Sequence, residues 1–188
     1  MILPNIDEFP SFSLKRLLST CFGTESSGSE KICILIDLPD LNLMHNHKFL
    51  TLDGFSVQKY AYNTFLHDLK DGVSDELSYT ENGFFAFKTT GGSNLDPEDE
   101  AVNGNGDTLS LERDIYPNFD IILAITDYSL TAPLTASAKI HGFRGATLHG
   151  VNEVILNSGL SVDYFKISKQ AELFRSVLNH PDYFEIDF

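Results

Sequence analysis

Two short apolar runs constrain this chain more than anything else in it. "KICILID" (31–37) and "NFDIILAIT" (118–126) are each nearly unbroken in hydrophobicity and lack the polar alternation of a half-exposed strand. Runs of that kind fit strands covered on both faces, which is the environment of a parallel sheet with helices packed over it. The spacing between them leaves room for crossover connections, so the expected fold class is α/β, Rossmann-like and three-layered, with a mostly parallel central sheet.

The intervening sequence supplies the helices. Leu14, Leu17, Leu18 and Cys21 recur at i, i+3, i+4 and i+7, with Gly23 placed to end the turn, which predicts a short amphipathic helix. Ser56 is expected to cap a second helix, lined by Val57, Tyr60, Ala61, Thr64, Phe65 and Leu69 and stopped at Asp71-Gly72. Asn82-Gly83, between Leu77–Thr80 and Phe84–Phe87, predicts a hairpin. After the second buried strand, "SLTAPLTASAKIHGF" predicts a helix capped by Ser129 or Thr131, with Pro133 in its first turn and Gly142 closing it. "RGATLHG" then predicts a third strand, joined by a right-handed parallel crossover. "VNEVILNSG" reads as a short helix ended by Gly159 and "LSVDYFKI" as extended chain. A last helix capped by Ser168 would carry Leu173, Phe174, Val177 and Leu178 up to Pro181, and "DYFEIDF" alternates as a strand.

Residues 91–107, "GGSNLDPEDEAVNGNGD", hold three Asn, four Gly and five acidic side chains. So little apolar area predicts a mobile acidic surface loop inside a single domain. Lys plus Arg is 13 against 27 Asp plus Glu, a formal net charge of -14. Such a chain repels phosphate backbones and anionic bilayers, so neither nucleic acid nor membrane is expected as a partner. The segment "MILPNIDEFPSF" has no basic region and is broken by Pro4 and Pro10, which reads as a soluble, cytoplasmic chain. Cys21 and Cys33 form no C-x-x-C and are expected to be reduced, small buried hydrophobes.

No motif for chemistry stands out. His45 and His47 with Asp53 fall short of the three or four ligands of a zinc site. Two calcium-loop frames fail: with Gly106 sixth, Ala101 occupies the first place, and with Gly104 sixth, Ala101 and Ser110 occupy the third and twelfth. No dinucleotide fingerprint, phosphate loop or nucleophile elbow occurs. The remaining candidate is "TDYSLTAP" at the carboxyl end of the second buried strand, where open α/β sheets place ligands and a helix N-terminus offers N–H groups to an anion. Thr126, Ser129 and Thr131 are the candidate ligand-binding residues there, joined by His149 and Asn152 after the next strand. Ordinary helix capping is the competing reading of those hydroxyls.

From about residue 118 onward the sequence resembles the aminopeptidase T group of leucyl aminopeptidases. The resemblance runs through Ser129-Leu130-Thr131, the Ala-rich helix, Gly142-Phe143-Arg144-Gly145-Ala146 and Val162-Asp163-Tyr164. It departs at the turn where the family usually has Pro before Gly, since His149 precedes Gly150 here. The resemblance implies a non-catalytic N-terminal α/β domain, with divalent zinc or cobalt and its ligands in a further domain and no cofactor or catalytic residue in this chain. It also implies a peptide or small-molecule substrate for the whole protein and a possible homodimer. The alternative is a stand-alone module that binds a ligand or protein without catalysis.

Overall fold

The computed structural model describes residues 11–23 and 30–179. A mixed α/β fold is built on a six-stranded sheet of order β4-β3-β2-β1-β5-β6. The strands are β1 (Glu30–Leu38), β2 (Tyr79–Lys88), β3 (Ala101–Asn103), β4 (Thr108–Leu109), β5 (Ile121–Ala124) and β6 (Arg144–Thr147). β1 pairs in parallel with both β2 and β5, and β5 with β6, while β3 and β4 join β2 as an antiparallel hairpin. The two apolar runs therefore lie side by side in one direction, with Cys33 level with Ile122 and Ile34 with Leu123.

Every residue of β1 from Ile32 to Leu38 is buried, as double-sided burial requires. Ile32, Ile34 and Ile36 belong to one hydrophobic cluster, with Leu14, Leu18, Phe49, Phe65 and Leu69. Cys33 and Leu35 belong to a second, with Ile115, Tyr116, Leu130, Leu134 and Phe143. The alternation of the strand thus splits the core into two sets on opposite faces of the sheet. No helix among the described residues is long and apolar enough to cross a membrane.

The amphipathic helix α1 (Leu14–Phe22) forms as expected, with Ser13 Oγ accepting from the Arg16 N–H and Gly23 following at φ 82°. Its stripe is buried only through Leu18; Cys21 in the last turn is exposed, whereas Cys33 in β1 is fully buried. The second helix departs from expectation at its start. It begins at α2 (Ser56–Tyr60) after Phe55, which stands at φ 55°, and Ser56 contributes no side-chain cap. It continues through π-type turns at Ala61–Leu66 and Leu69–Val73 into α3 (Ser74–Leu77). Asp71-Gly72 interrupts it as expected: both residues leave the helical conformation, Gly72 at φ 121° where a side chain would be strained, and α3 follows across the kink.

The hairpin expected at Asn82-Gly83 does not exist. Leu77 ends α3, Ser78 reverses the chain at φ 60°, and β2 runs straight through Gly83 in register with β1. Gly83 serves close packing instead. A Cβ there would lie 2.7 Å from both Cys33 Cβ and Phe119 Cζ, and 2.6 Å from Phe85 Cε2.

Part of the acidic stretch is also built into the sheet. Ala101 and Val102 are buried in β3, and Asn103 closes the β3–β4 turn by accepting from Asn105 N and Asp107 N through Oδ1. Those two apolar side chains, with the half-buried Leu109, tie the hairpin into the core despite the polar residues around them.

α4 (Thr131–His141) and β6 appear where expected, Gly142 closing the helix in the left-handed conformation. α5 (Glu153–Leu156) is capped by Asn152. "LSVDYFKI" is not extended: α6 (Tyr164–Leu178) starts within it, because Asp163 rather than Ser168 supplies the cap, accepting from Lys166 N. Pro181 and the expected strand at 182–188 lie outside the described residues.

Candidate functional site

A parallel sheet collects its strand ends on one side, and loops leaving adjacent strands in opposite directions open a crevice there. In this sheet the reversal falls at β1: the chain leaves it toward β2, and β5 lies on its other side. The side chains at the carboxyl ends of β1 and β5 therefore occupy the position where such folds place ligands.

Asp37 is the penultimate residue of β1 and is 1% exposed. Its Oδ1 accepts from Asp127 N, just past β5, at 2.9 Å. The same oxygen accepts from Gln58 Nε2 at 2.9 Å, across from α2. Gln58 is fully buried, and its Nε2 also donates to Asp37 O at 2.9 Å and Asp127 Oδ2 at 3.0 Å. These partners fix the amide orientation, since turning it over would set Oε1 against three oxygens. In the orientation observed, Oε1 is buried without a partner, as is Thr89 Oγ1 immediately after β2. Unpaired buried polar atoms are uncommon, and here two lie on residues around the carboxyl end of β1. Thr89 N donates to Leu38 O, which ties that residue to the same end of the strand.

The electrostatics follow from burial. Loss of solvent raises the Asp37 carboxyl above its ordinary range; the Asp127 N–H opposes the rise, and the Asp127 charge adds to it. The Asp37–Gln58–Asp127 knot has the two hydrogens of Nε2 and one backbone N–H to serve two carboxylates and two carbonyl oxygens. Acceptors outnumber donors, so the group best suited to complete it is a donor.

The residues expected to bind a ligand from the sequence lie along the same edge, with other commitments. Thr126 is buried and its Oγ1 donates to Tyr128 O at 2.6 Å, making a turn. Ser129 Oγ lies 3.0 Å from Thr131 Oγ1, which lies 2.8 Å from Thr147 Oγ1, so three hydroxyls form a chain from β5's exit to the end of β6. Thr131 and Thr147 border a recess of about 200 Å³ between α4 and β6, floored by Leu134 and Gly145. His149 is exposed. Asn152 caps α5, with Oδ1 accepting from Ile155 N and Nδ2 donating to Gly150 O.

The helix N-terminus is closed to an anion. Asn94 reaches over from the acidic stretch, its Oδ1 accepting from Ala132 N at 3.0 Å while its own N–H donates to Ser129 O. Ser129 Oγ accepts from Thr131 N at 3.4 Å, and Pro133 has no N–H to offer. The helix start is thus served both by the expected Ser129 and by a residue 38 positions away, while Leu130 holds the N-cap place without a side-chain bond.

No family model, curated protein or solved structure matches this chain. The likeness to the aminopeptidase T group rests on the sequence motifs alone.

Among the described residues no group of three or more His, Cys, Asp or Glu is disposed to hold a metal ion. His45 and His47 have neighbours of other kinds. The His47 ring packs against Tyr62 at 4.7 Å and Phe84 at 6.0 Å between centroids, and burial lowers its pKa. His45 Nε2 lies 3.3 Å from Asn46 Nδ2. In the acidic stretch Asp99 accepts from Ser110 Oγ and Glu112 N, and the Glu112 N–H holds its carboxyl below the usual range.

The Asp37–Gln58–Asp127 knot was not singled out by the sequence reading. A signal for two of its members was present: "ILID" and "AITD" each end a buried strand with an aspartate. Gln58 gave none, since it sits beside Val57 on an otherwise ordinary helix.

Proposed function

We propose that this chain is a three-layer α/β binding module whose ligand is a small molecule or peptide bearing an ammonium group, held at the carboxyl ends of β1 and β5. The observation that carries the reading is the surplus of acceptors at Asp37, Gln58 and Asp127, with Gln58 Oε1 buried and unpaired. Asp127 is exposed and supplies the point of entry, while Asp37 lies buried behind it. A free amino group donates three hydrogen bonds and carries the charge that two neighbouring carboxylates favour. The stand-alone binding module is preferred to the aminopeptidase-like domain because its support lies in these side chains.

Binding of the dipeptide Ala-Ala and of its N-acetylated form, followed by NMR shifts of the Asp127 and Gln58 amides, tests the reading. The free-amine peptide is expected to bind and the acetylated one to fail, with Asp127→Asn abolishing binding while leaving the melting temperature in place. Equal response to both peptides, or no response to either, refutes it.

A further inference from the structure

Asp37 and Gln58 are buried, so something must move before a ligand can reach them. Strand alternation sets the Asp37 side chain on the face of Cys33 and Leu35, where Leu130 and Leu134 pack. The chain that leaves β2 is tied to the start of α4 on that same face. Thr89 N donates to Leu38 O at 3.0 Å, which roots it at the end of β1. Further on it is pinned beyond β5: Asn94 N donates to Ser129 O at 2.7 Å, Ser93 Oγ accepts from Ser129 N at 3.2 Å, and Asn94 Oδ1 accepts from Ala132 N at 3.0 Å. Since the sheet order is β2-β1-β5, a segment rooted beside β2 and pinned past β5 crosses the carboxyl end of β1, where Asp37 stands.

The covers of the knot differ in how firmly they are held. α2 is fixed by Val57, with Ala61 just beyond it, and the chain around the exit of β5 by Ile125 and Leu130, all core residues. Neither core cluster, among the described residues, includes any of residues 89–95. Ser93 and Asn94 are exposed, and Leu95 is 52% exposed. Hydrogen bonds open to solvent and unsupported by apolar burial mark the segments that open locally without unfolding the rest. A pivot is present too. Gly91 stands at φ 75° and Gly92 follows it, so two residues without side chains precede the pins. Asn94 itself is held at φ 61°, a left-handed conformation uncommon outside glycine that persists where surrounding bonds impose it.

We propose that residues 90–95 form a lid over the Asp37–Gln58–Asp127 knot, hinged at Gly91-Gly92 and latched to the start of α4 by Ser93 and Asn94. This rests on the reading of the knot as a ligand site and adds a gate to it. Lifting the lid releases Ser129 N, Ser129 O and Ala132 N together, and it uncovers Asp37 from the face to which strand alternation turns its side chain. Thr89 stays behind, tied to β1, so its buried Oγ1 remains at the carboxyl end of that strand. The exposed Asp127 meets an ammonium group first, and the lid controls whether that group passes inward.

Ser93→Ala combined with Asn94→Gly removes both side-chain pins while keeping a residue suited to the left-handed conformation. Exchange of the Gln58 side-chain amide hydrogens with solvent, followed by NMR on the ligand-free chain, is expected to quicken about tenfold in this variant, as two lost hydrogen bonds would bring. The Ile125 amide, bonded to Leu35 O inside the sheet, is expected to keep its native rate. Entry of Ala-Ala, read from NMR line shapes, should accelerate by a similar factor. Unchanged Gln58 exchange overturns the lid, and so does a rise shared equally by Ile125, which would report weakening of the whole fold. The two readings fail separately. Ala-Ala that binds neither protein while Gln58 exchange still quickens removes the ammonium ligand and leaves the lid; binding with unchanged Gln58 exchange removes the lid and leaves the site.

Discussion

Replacing Gln58 by Glu isolates the electrostatics of the buried knot in a single atom pair. The amide now donates from Nε2 to Asp37 Oδ1 at 2.9 Å and Asp127 Oδ2 at 3.0 Å, and a carboxyl in its place must either stay protonated or face two carboxylates. Its folded pKa is therefore raised. For a raised carboxyl the stability is present below the unfolded pKa and is lost as pH rises through the folded one. Holding the new carboxyl protonated near pH 7 costs at most about 4 kcal/mol, at 1.36 kcal/mol for each pH unit above about 4.3. Asp37 itself is raised by burial, so the native protein follows the same sign and the measurement must be a difference. With a urea slope of about 3 kcal/mol/M, the variant's midpoint should fall short of the native one by up to about 1.3 M near neutral pH. Near pH 4 most of that gap should close. Urea unfolding followed by far-UV circular dichroism at both pH values checks it. A gap that is equal at the two pH values would mean that the variant acts by shape alone and that the charge argument is wrong.

Two further perturbations test the packing and the cap. Gly83→Ala forces a methyl group against Cys33, Phe85 and Phe119, and an overpacking cost of about 1–3 kcal/mol is expected, a fall in melting temperature of roughly 2–4 °C per kcal/mol. Adding Phe119→Leu should return part of that loss, which a double-mutant cycle by calorimetry would read as coupling. Asn94→Ala removes the acceptor for Ala132 N at the start of α4 and should cost about 0.5–2 kcal/mol, whereas Asn94→Asp should retain most of the stability in the same urea assay.

The parts of the fold legible in the sequence were those decided locally. β1 and β5 announce themselves because double-sided burial demands apolar residues at consecutive positions, and α1 and α4 because their closing glycines lie where a left-handed or extended residue is needed. Asn82-Gly83 misled because the same dipeptide suits a tight turn and a strand that another element approaches closely; only the positions of Cys33 and Phe119 decide between them. α6 began earlier than expected since Asp163, which reads as a loop residue, is one of the better N-caps. Thr126 and Ser129 do lie just past β5, where the sequence puts them, but the knot joins residues 37, 58 and 127. Proximity of that kind follows from strand order, which composition and periodicity do not specify.

The hairpin β3–β4 has a role beyond filling out the sheet. β2 is ten residues long and carries Phe84, Phe85 and Phe87, and among the described residues its outer margin is met only by the short antiparallel pairing with Ala101–Asn103. The turn that holds this cover in place is itself clasped, since Asn46 N donates to Gly104 O at 2.8 Å and the His47 ring lies against Gly104. Loosening that clasp would bare a long, aromatic strand margin able to template β-pairing between molecules. A stretch whose acidic composition makes it look dispensable thus keeps an aromatic strand margin covered.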